Sequence, residues 1–224
     1  MWGGIEQNIL GDNLKPNELK EMLTKAFANL KAHAAENCSY YVSSPQGELA
    51  LTMLLMMKEA GLYVRHTLIW VKSKATFSLG RLDYDYRHEP IFYTWDKSHK
   101  FYGGYDNTVI DDTDDINKMT KAELKEALRA IREHEDTSVI YCDKPNKSKL
   151  HPTMKPVKLV ARLMFNSSRP GDIVADIFGG SGTTMIAAEQ LKRRCLMMEL
   201  DPHYCDVIIA RWEAFTGGKA KRIR

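Results

Sequence analysis

One stretch of the chain concentrates residue types that do chemistry: Asp176-Ile177-Phe178-Gly179-Gly180-Ser181-Gly182-Thr183-Thr184. Ile173-Val174-Ala175-Asp176 ahead of it reads as a short buried strand. Glycines then make a tight turn, and a helix begins. In parallel sheets, ligands sit at the carboxyl ends of strands. Glycine there lets a ligand approach the backbone closely, and the first turn of the helix offers unpaired N–H groups. The turn contains neither GxxxxGK[ST] nor GxGxxG, so neither a nucleotide phosphate cradle nor a dinucleotide fingerprint is present. The next strand carries Glu199, 23 residues beyond Asp176. A carboxylate in that place accepts hydrogen bonds from both hydroxyls of a ribose. The residues themselves therefore predict a bound nucleoside without a pyrophosphate, with a purely structural glycine turn as the alternative.

The elements that must position these residues are legible from periodicity. Leu19, Met22, Leu23, Ala26, Phe27 and Leu30 recur at helical spacing after Pro16. Cys38 to Val42 favours a strand. A second helix is expected from Pro45 to Ala60, stopped by Gly61. Tyr63 to Lys72 and Ile91 to Trp95 read as strands. Thr120 to Glu123 fits a capping box, with Leu124, Ala127, Leu128 and Ile131 following as a charged, solvated helix. Pro156 suits the first turn of a helix reaching Ser167. From Ile173 onward the order is strand, helix to Leu191, strand from Arg194 to Leu200, and a last helix from His203 to Phe215. This is the β-α-β-α unit of a parallel sheet. The expected class is α/β, with a mostly parallel sheet and helices on both faces.

Composition narrows the function classes. The chain has 224 residues, of which 44% are hydrophobic and 27% charged, enough for a real core. Its longest nearly apolar run, Leu49 to Met57, is far short of the ~20 residues that cross a bilayer. No signal peptide is visible at Met1-Trp2-Gly3-Gly4. Cys38, Cys142, Cys195 and Cys205 form no CxxC pair, so neither a disulfide scaffold nor a metal site is expected. A reduced, cytoplasmic protein follows. The net charge is +3, but Asp111 to Asp136 alone carries nine acids against five bases. The rest of the chain is correspondingly basic, which is compatible with a nucleic-acid partner.

Three motifs then resemble one family. Asp176 to Thr184 is similar to the D-P-F-x-G-S-G-T-T loop of S-adenosylmethionine-dependent DNA amino-methyltransferases. His151-Pro152-Thr153-Met154-Lys155-Pro156 resembles that family's HPTxKP segment, and Met198 to Cys205 resembles its E-x-D-P-x-Y-C. Leu68 to Lys72 and His88 to Ile91 match two further stations. The cofactor loop lies late in the chain, as in the permuted β group, and phage and prophage members look closest. The resemblance implies a Rossmann-like methyltransferase fold with S-adenosyl-L-methionine as cofactor. It implies that Asp176, Phe178, Gly180, Ser181 and Gly182 line the cofactor's methionine end and that Glu199 binds the ribose. It further implies that Lys155 reaches the cofactor carboxylate with Thr153 in support. His151 is a weaker candidate. Ile177 stands where the family has proline, which should soften the turn without abolishing binding. Cys205 is expected to be a packed small hydrophobe rather than a reactive thiol.

The same resemblance divides the chain into residues 1–76 and 151–224 of the methyltransferase core, with a target-recognition region at 77–150. In that region Arg81, Arg87, Tyr84 and Lys97 are expected to contact DNA, since mixed basic and aromatic residues suit phosphates and bases. The implied reaction is methyl transfer to an exocyclic base amine of double-stranded DNA, adenine N6 first and cytosine N4 second, in a restriction-modification setting. An inactive DNA- or cofactor-binding module is the competing class. One departure stands out: no Asp-Pro-Pro-Tyr tetrapeptide, which in the family holds the extruded base, occurs in the sequence. No catalytic residue is therefore assigned, and activity of this chain alone is not implied. The expectation is a fragment lacking an N-terminal strand, with half of a split enzyme, completed by an N-terminal fragment, as the other reading. A homodimer is a further expected partner. The expected setting is the cytoplasm of a bacterium or a phage-infected host.

Overall fold

In the computed structural model, residues 14–72, 86–103, 138–142 and 154–223 are described. The first helix, α1 (Pro16–His33), begins where Pro16 presets the backbone and Glu18 accepts the Lys15 N–H at 2.9 Å. It is followed by β1 (Ser39–Ser43), α2 (Glu48–Glu59), β2 (His66–Val71) and β3 (His88–Trp95). A short strand, β4 (Val139–Tyr141), was not expected from the sequence; three residues are too few to show a period. Then come α3 (Val157–Ser167), β5 (Ile173–Asp176), α4 (Thr183–Gln190), β6 (Arg194–Met197) and α5 (Pro202–Thr216). The expected helix after Thr120 lies outside the described residues.

The strands form a four-stranded sheet in the order β1-β3-β2-β4 and a two-stranded sheet, β5-β6. β5 and β6 are parallel, as the β-α-β pattern predicts, in the register Asp176↔Met197. β2 and β4 are also parallel. β3 runs against both β1 and β2, so the larger sheet is mixed, with β3 as the exception to the common direction. The α/β class holds.

Alternation along the strands divides the core. Tyr40 and Phe92 point to one face, where Leu23, Phe27, Met56, Met57 and Leu62 of α1, α2 and the turn after α2 bury them. Trp70, Ile91 and Ile140 point to the other, against Leu159 and Leu163 of α3. Helices thus cover both faces. Farther along this second face an aromatic shelf replaces the helix. Tyr41 stacks on Tyr93 at 4.6 Å and Trp95 on His99 at 3.7 Å, with the Arg65 guanidinium 4.7 Å from the Trp95 ring. Desolvation, together with the charges of Arg65 and His66, holds His99 below its ordinary value.

α3 ties the two sheets together. Met164 contributes to a cluster with Ala187 and Ala188 of α4, backed by Val174 and Cys195. Its last residue, Ser167, meets the Tyr41 hydroxyl at 2.7 Å, and the Tyr102 N–H donates to the Asn166 carbonyl at 2.6 Å. The start of α3 therefore lies by the glycine loop and its end by the aromatic shelf, about 16 Å apart at 1.5 Å per residue.

Candidate cofactor site

The loop between β5 and α4 is shaped by its own side chains. Asp176, at the end of β5, accepts the Phe178 N–H on Oδ1 at 3.0 Å and the Thr184 hydroxyl on Oδ2 at 2.6 Å. That closes the turn and fixes the start of α4. Gly182 has φ +75°, a conformation that L side chains rarely adopt, and α4 begins one residue later. A Cβ on Gly179 would lie 2.8 Å from Met197 Cγ and 3.0 Å from Ile208 Cδ1. Gly179 is therefore required by close packing between β6 and α5. Gly179, unlike Gly180 and Gly182, carries no sequence signal of its own.

Glu199 lies just past β6 and faces this loop. Its Oε2 accepts the Gly180 N–H at 2.6 Å and its Oε1 the Asp201 N–H at 2.9 Å. Two backbone donors thus hold the carboxylate plane, and each oxygen keeps a further lone pair for a ligand. Asp201 in turn caps α5 by accepting the His203 N–H at 2.9 Å. The motif around Glu199 is therefore both a carboxylate mount and a helix start.

Lys155 joins the same place from the segment just ahead of α3. Its carbonyl accepts the Thr183 hydroxyl at 3.2 Å, and its ammonium is close enough to act on Asp176. Burial pushes the Asp176 carboxyl above its ordinary value. The Thr184 hydroxyl, the Phe178 N–H and the Lys155 charge oppose that rise, and the Glu199 charge adds to it. Phe178 is 51% exposed at the rim, whereas Ser181 is buried. Asp176, Phe178, Gly180, Ser181, Gly182, Glu199 and Lys155 are thus gathered around one loop. Thr153 and His151 lie outside the described residues.

Two residues of this neighbourhood escaped the sequence reading. Gly179 is one. Arg211 of α5 is the other: its guanidinium donates to the Ser181 carbonyl at 2.9 Å and reaches the Ser181 and Thr183 hydroxyls at 3.3 Å. The signal was available in the sequence. Tyr204, Ile208 and Arg211 share one helix face by spacing, so a charge sits where a core residue is expected. Cys205 is partly buried. Its thiol lies 3.6 Å from the Glu199 carbonyl, and desolvation raises it away from the reactive thiolate.

The candidate DNA contacts are less united. Arg81 and Tyr84 lie outside the described residues. Arg87 donates to the Lys72 carbonyl at 3.1 Å, beside the buried Lys72–Glu89 ion pair of 2.6 Å. Lys97 is exposed and lies 3.5 Å from Glu36. The length of β3, roughly 25 Å, separates Arg87 from Lys97. Arg87 is on the end that carries the start of α3 and the glycine loop, and Lys97 is on the aromatic-shelf end.

A parallel strand ending in an aspartate, a glycine turn into a helix, and a held carboxylate just past the neighbouring strand form an α/β arrangement that could take up a nucleoside. Solved structures agree in fold. The M1.HpyAVI–SAM complex superposes with a TM-score of 0.64 at 20% identity, covering 88% of this chain and 84% of that one. The cytosine-N4-specific PvuII DNA methyltransferase gives 0.63 at 17% identity, covering 89% and 72%.

The chain belongs to the N6/N4 DNA methylase family, whose sequence profile, described as "DNA methylase", matches residues 2–211. Among curated relatives, the type II methyltransferase M.HpaI of Haemophilus parainfluenzae is 25% identical over 222 residues, spanning 96% of this chain and 66% of its own length. The type II methyltransferase M2.DpnII of Streptococcus pneumoniae is 39% identical over 64 residues, 29% of this chain and 24% of its own. No helix among the described residues is long and apolar enough to cross a membrane.

Proposed function

We propose that this chain uses S-adenosyl-L-methionine to methylate an exocyclic base amine in double-stranded DNA. The observation that carries the reading is the pairing of Glu199 with the Gly180 N–H at 2.6 Å across the glycine turn. It supports Glu199 as the ribose acceptor, since it holds the carboxylate against the glycine turn. The cofactor supplies an activated methyl group on a positively charged sulfur. The chain's own residues do the rest. Glu199 orients the nucleoside, Asp176 places negative charge by the loop, and Lys155 offers its cation to the cofactor's carboxylate. Thr153, two residues before Lys155 in sequence, supports it.

The base amine is a weak nucleophile because its lone pair is delocalised into the ring. An acceptor for its protons and a ring to stack on the extruded base are needed. The tetrapeptide that serves this in the family is absent from the sequence. We assign the task to a complementing N-terminal segment, since a second copy of the chain in a homodimer would lack the tetrapeptide as well. In support, among the described residues β1 pairs only with β3 and β5 only with β6, which leaves an edge of each for another strand. DNA approaches from the glycine-loop end, where Arg87 stands, with Arg81 and Tyr84 nearby in sequence. Lys97, at the opposite end, is assigned no contact with the target base's side. Adenine N6 is the first target, on the resemblance to the phage members of the permuted group. Cytosine N4 is the second, favoured by the fold shared with the cytosine-N4-specific PvuII enzyme. The protein is placed in the cytoplasm of a bacterium or its phage-infected host, as the modification partner of a restriction system.

The test is nucleoside mass spectrometry of duplex DNA incubated with methyl-labelled cofactor and the chain, alone and with an N-terminal segment carrying Asp-Pro-Pro-Tyr. Labelled N6-methyladenine in the complemented reaction is expected. Label in N4-methylcytosine selects the second target, and no labelled base in any reaction rejects methyl transfer.

Asp176 gives a pH prediction. Its folded pKa lies above the ordinary 3.8, so the ligand-free fold holds this proton more tightly than the unfolded chain does. The stability from that preference is full below 3.8 and is lost as pH rises through the folded value. A cationic cofactor prefers the ionised carboxylate, so cofactor affinity should change in the opposite sense, falling as pH drops through that same window. Calorimetric titrations across the acidic range should show this fall in the wild type and a flatter profile in Asp176→Asn. Equal profiles would remove Asp176 from cofactor binding.

A further inference from the structure

Arg211 combines several features that a surface arginine lacks. It lies on the inward face of α5, one turn from Ile208, which closes on Gly179 and Gly182. It is half-buried, and among the described residues no carboxylate pairs with it. Desolvation holds its guanidinium below the ordinary value, with no acidic neighbour opposing that shift. A charge that has lost part of its hydration, without an ionic partner, is costly unless other groups accept its protons. Here those groups are all in the glycine loop: the Ser181 carbonyl and hydroxyl and the Thr183 hydroxyl.

The chain of contacts continues beyond the loop. Thr183 receives the arginine on Oγ1 and passes its own proton to the Lys155 carbonyl at 3.2 Å. One guanidinium therefore fixes the loop that would hold the cofactor and, through Thr183, the backbone that presents Lys155. It also leaves uncompensated positive charge just behind the first turn of α4.

We propose that Arg211 is a positioning residue that makes this site select ligands bearing a carboxylate. It does so by locking the Ser181–Thr183 turn onto the Lys155 backbone and by lending the turn positive charge. The inference rests on the cofactor reading given above and deepens it: the amino-acid end of the cofactor, rather than its nucleoside, is the part that senses Arg211. The nucleoside end is served by Glu199, on the other side of the loop at Gly180.

The experiment compares two ligands by calorimetry. S-adenosylhomocysteine carries the amino-acid end; 5′-methylthioadenosine has the same nucleoside and thioether without it. Arg211→Met should weaken S-adenosylhomocysteine by about tenfold or more, the scale of a lost charged hydrogen bond, and leave methylthioadenosine within about twofold. Arg211→Lys, which keeps the charge but not the fork, should fall between and carries the test if the methionine variant does not fold. Equal weakening of both ligands, or of neither, would overturn the proposal and leave Arg211 a structural tie. A wild-type chain that binds neither ligand would instead defeat the cofactor reading and this inference with it.

Discussion

Replacing Glu199 with alanine should lower the affinity for S-adenosylhomocysteine about a hundredfold or more. Two losses combine. The ribose hydroxyls lose their acceptor, and the Gly180 and Asp201 N–H groups, now held at 2.6 and 2.9 Å, lose theirs. Hydrogen bonds to a charged group are each worth about 1.5–3 kcal/mol, and about 2.8 kcal/mol corresponds to a hundredfold. Glu199→Gln keeps one carbonyl acceptor of nearly the same shape and should lose less. The order alanine worse than glutamine worse than wild type, read by calorimetric titration, is the expected result. If glutamine were as poor as alanine, full negative charge rather than hydrogen-bond geometry would be the controlling feature. If alanine bound as well as wild type, the ribose assignment would fail.

The largest effect on folding is expected at Trp70. It is 1% exposed and packs in one cluster with Ile91, Ile140, Leu159 and Leu163. Its indole N–H donates to the Cys142 carbonyl at 2.7 Å. Trp70→Ala should cost about 3–5 kcal/mol, the usual range for emptying a large aromatic site, with part of that from the lost indole hydrogen bond to Cys142. Because the hole opens between the sheet and the start of α3, cofactor affinity should fall as well, through Lys155. Trp70→Phe keeps most of the volume and loses the N–H, so it separates packing from the hydrogen bond. Urea unfolding checks both variants. A loss under about 1 kcal/mol for alanine would mean that α3 is held by something other than this cluster.

Much of this architecture was legible because its signals are local. Leu19 to Leu30 declare a helix by spacing alone, and Pro16, Pro156 and Pro202 sit at or beside helix starts. The unit from Ile173 to Phe215 could be read almost residue by residue, since strand, glycine turn, helix and capped helix each leave a distinct pattern. The candidate site was legible for the same reason: Asp176 ends β5 and Glu199 lies just past β6, its parallel neighbour.

What escaped depends on distant partners. The direction of β3 is set by its ladders with β1 and β2, and nothing within His88 to Trp95 states it. β4 has three residues and is recognisable only beside β2. Gly179 looks like any loop glycine until Met197 and Ile208 close around it. Lys97 and Arg87 are close in sequence, yet an extended strand carries them to opposite ends of the sheet. Their spacing across β3 depends on the ladders that keep the strand extended. Arg211 is the instructive case. Its helical spacing marked it as inward, and its charge should have prompted the question of what it bonds.

Asp176 to Glu199 is proposed as the S-adenosylmethionine site of this chain. Calorimetric titration of the purified chain with S-adenosyl-L-methionine tests it most directly, with Glu199→Ala and Lys97→Ala measured alongside. Saturable one-to-one binding is expected in the wild type, the same binding in Lys97→Ala, and its loss in Glu199→Ala. No saturable heat in the wild type, or undiminished binding in Glu199→Ala, would contradict it.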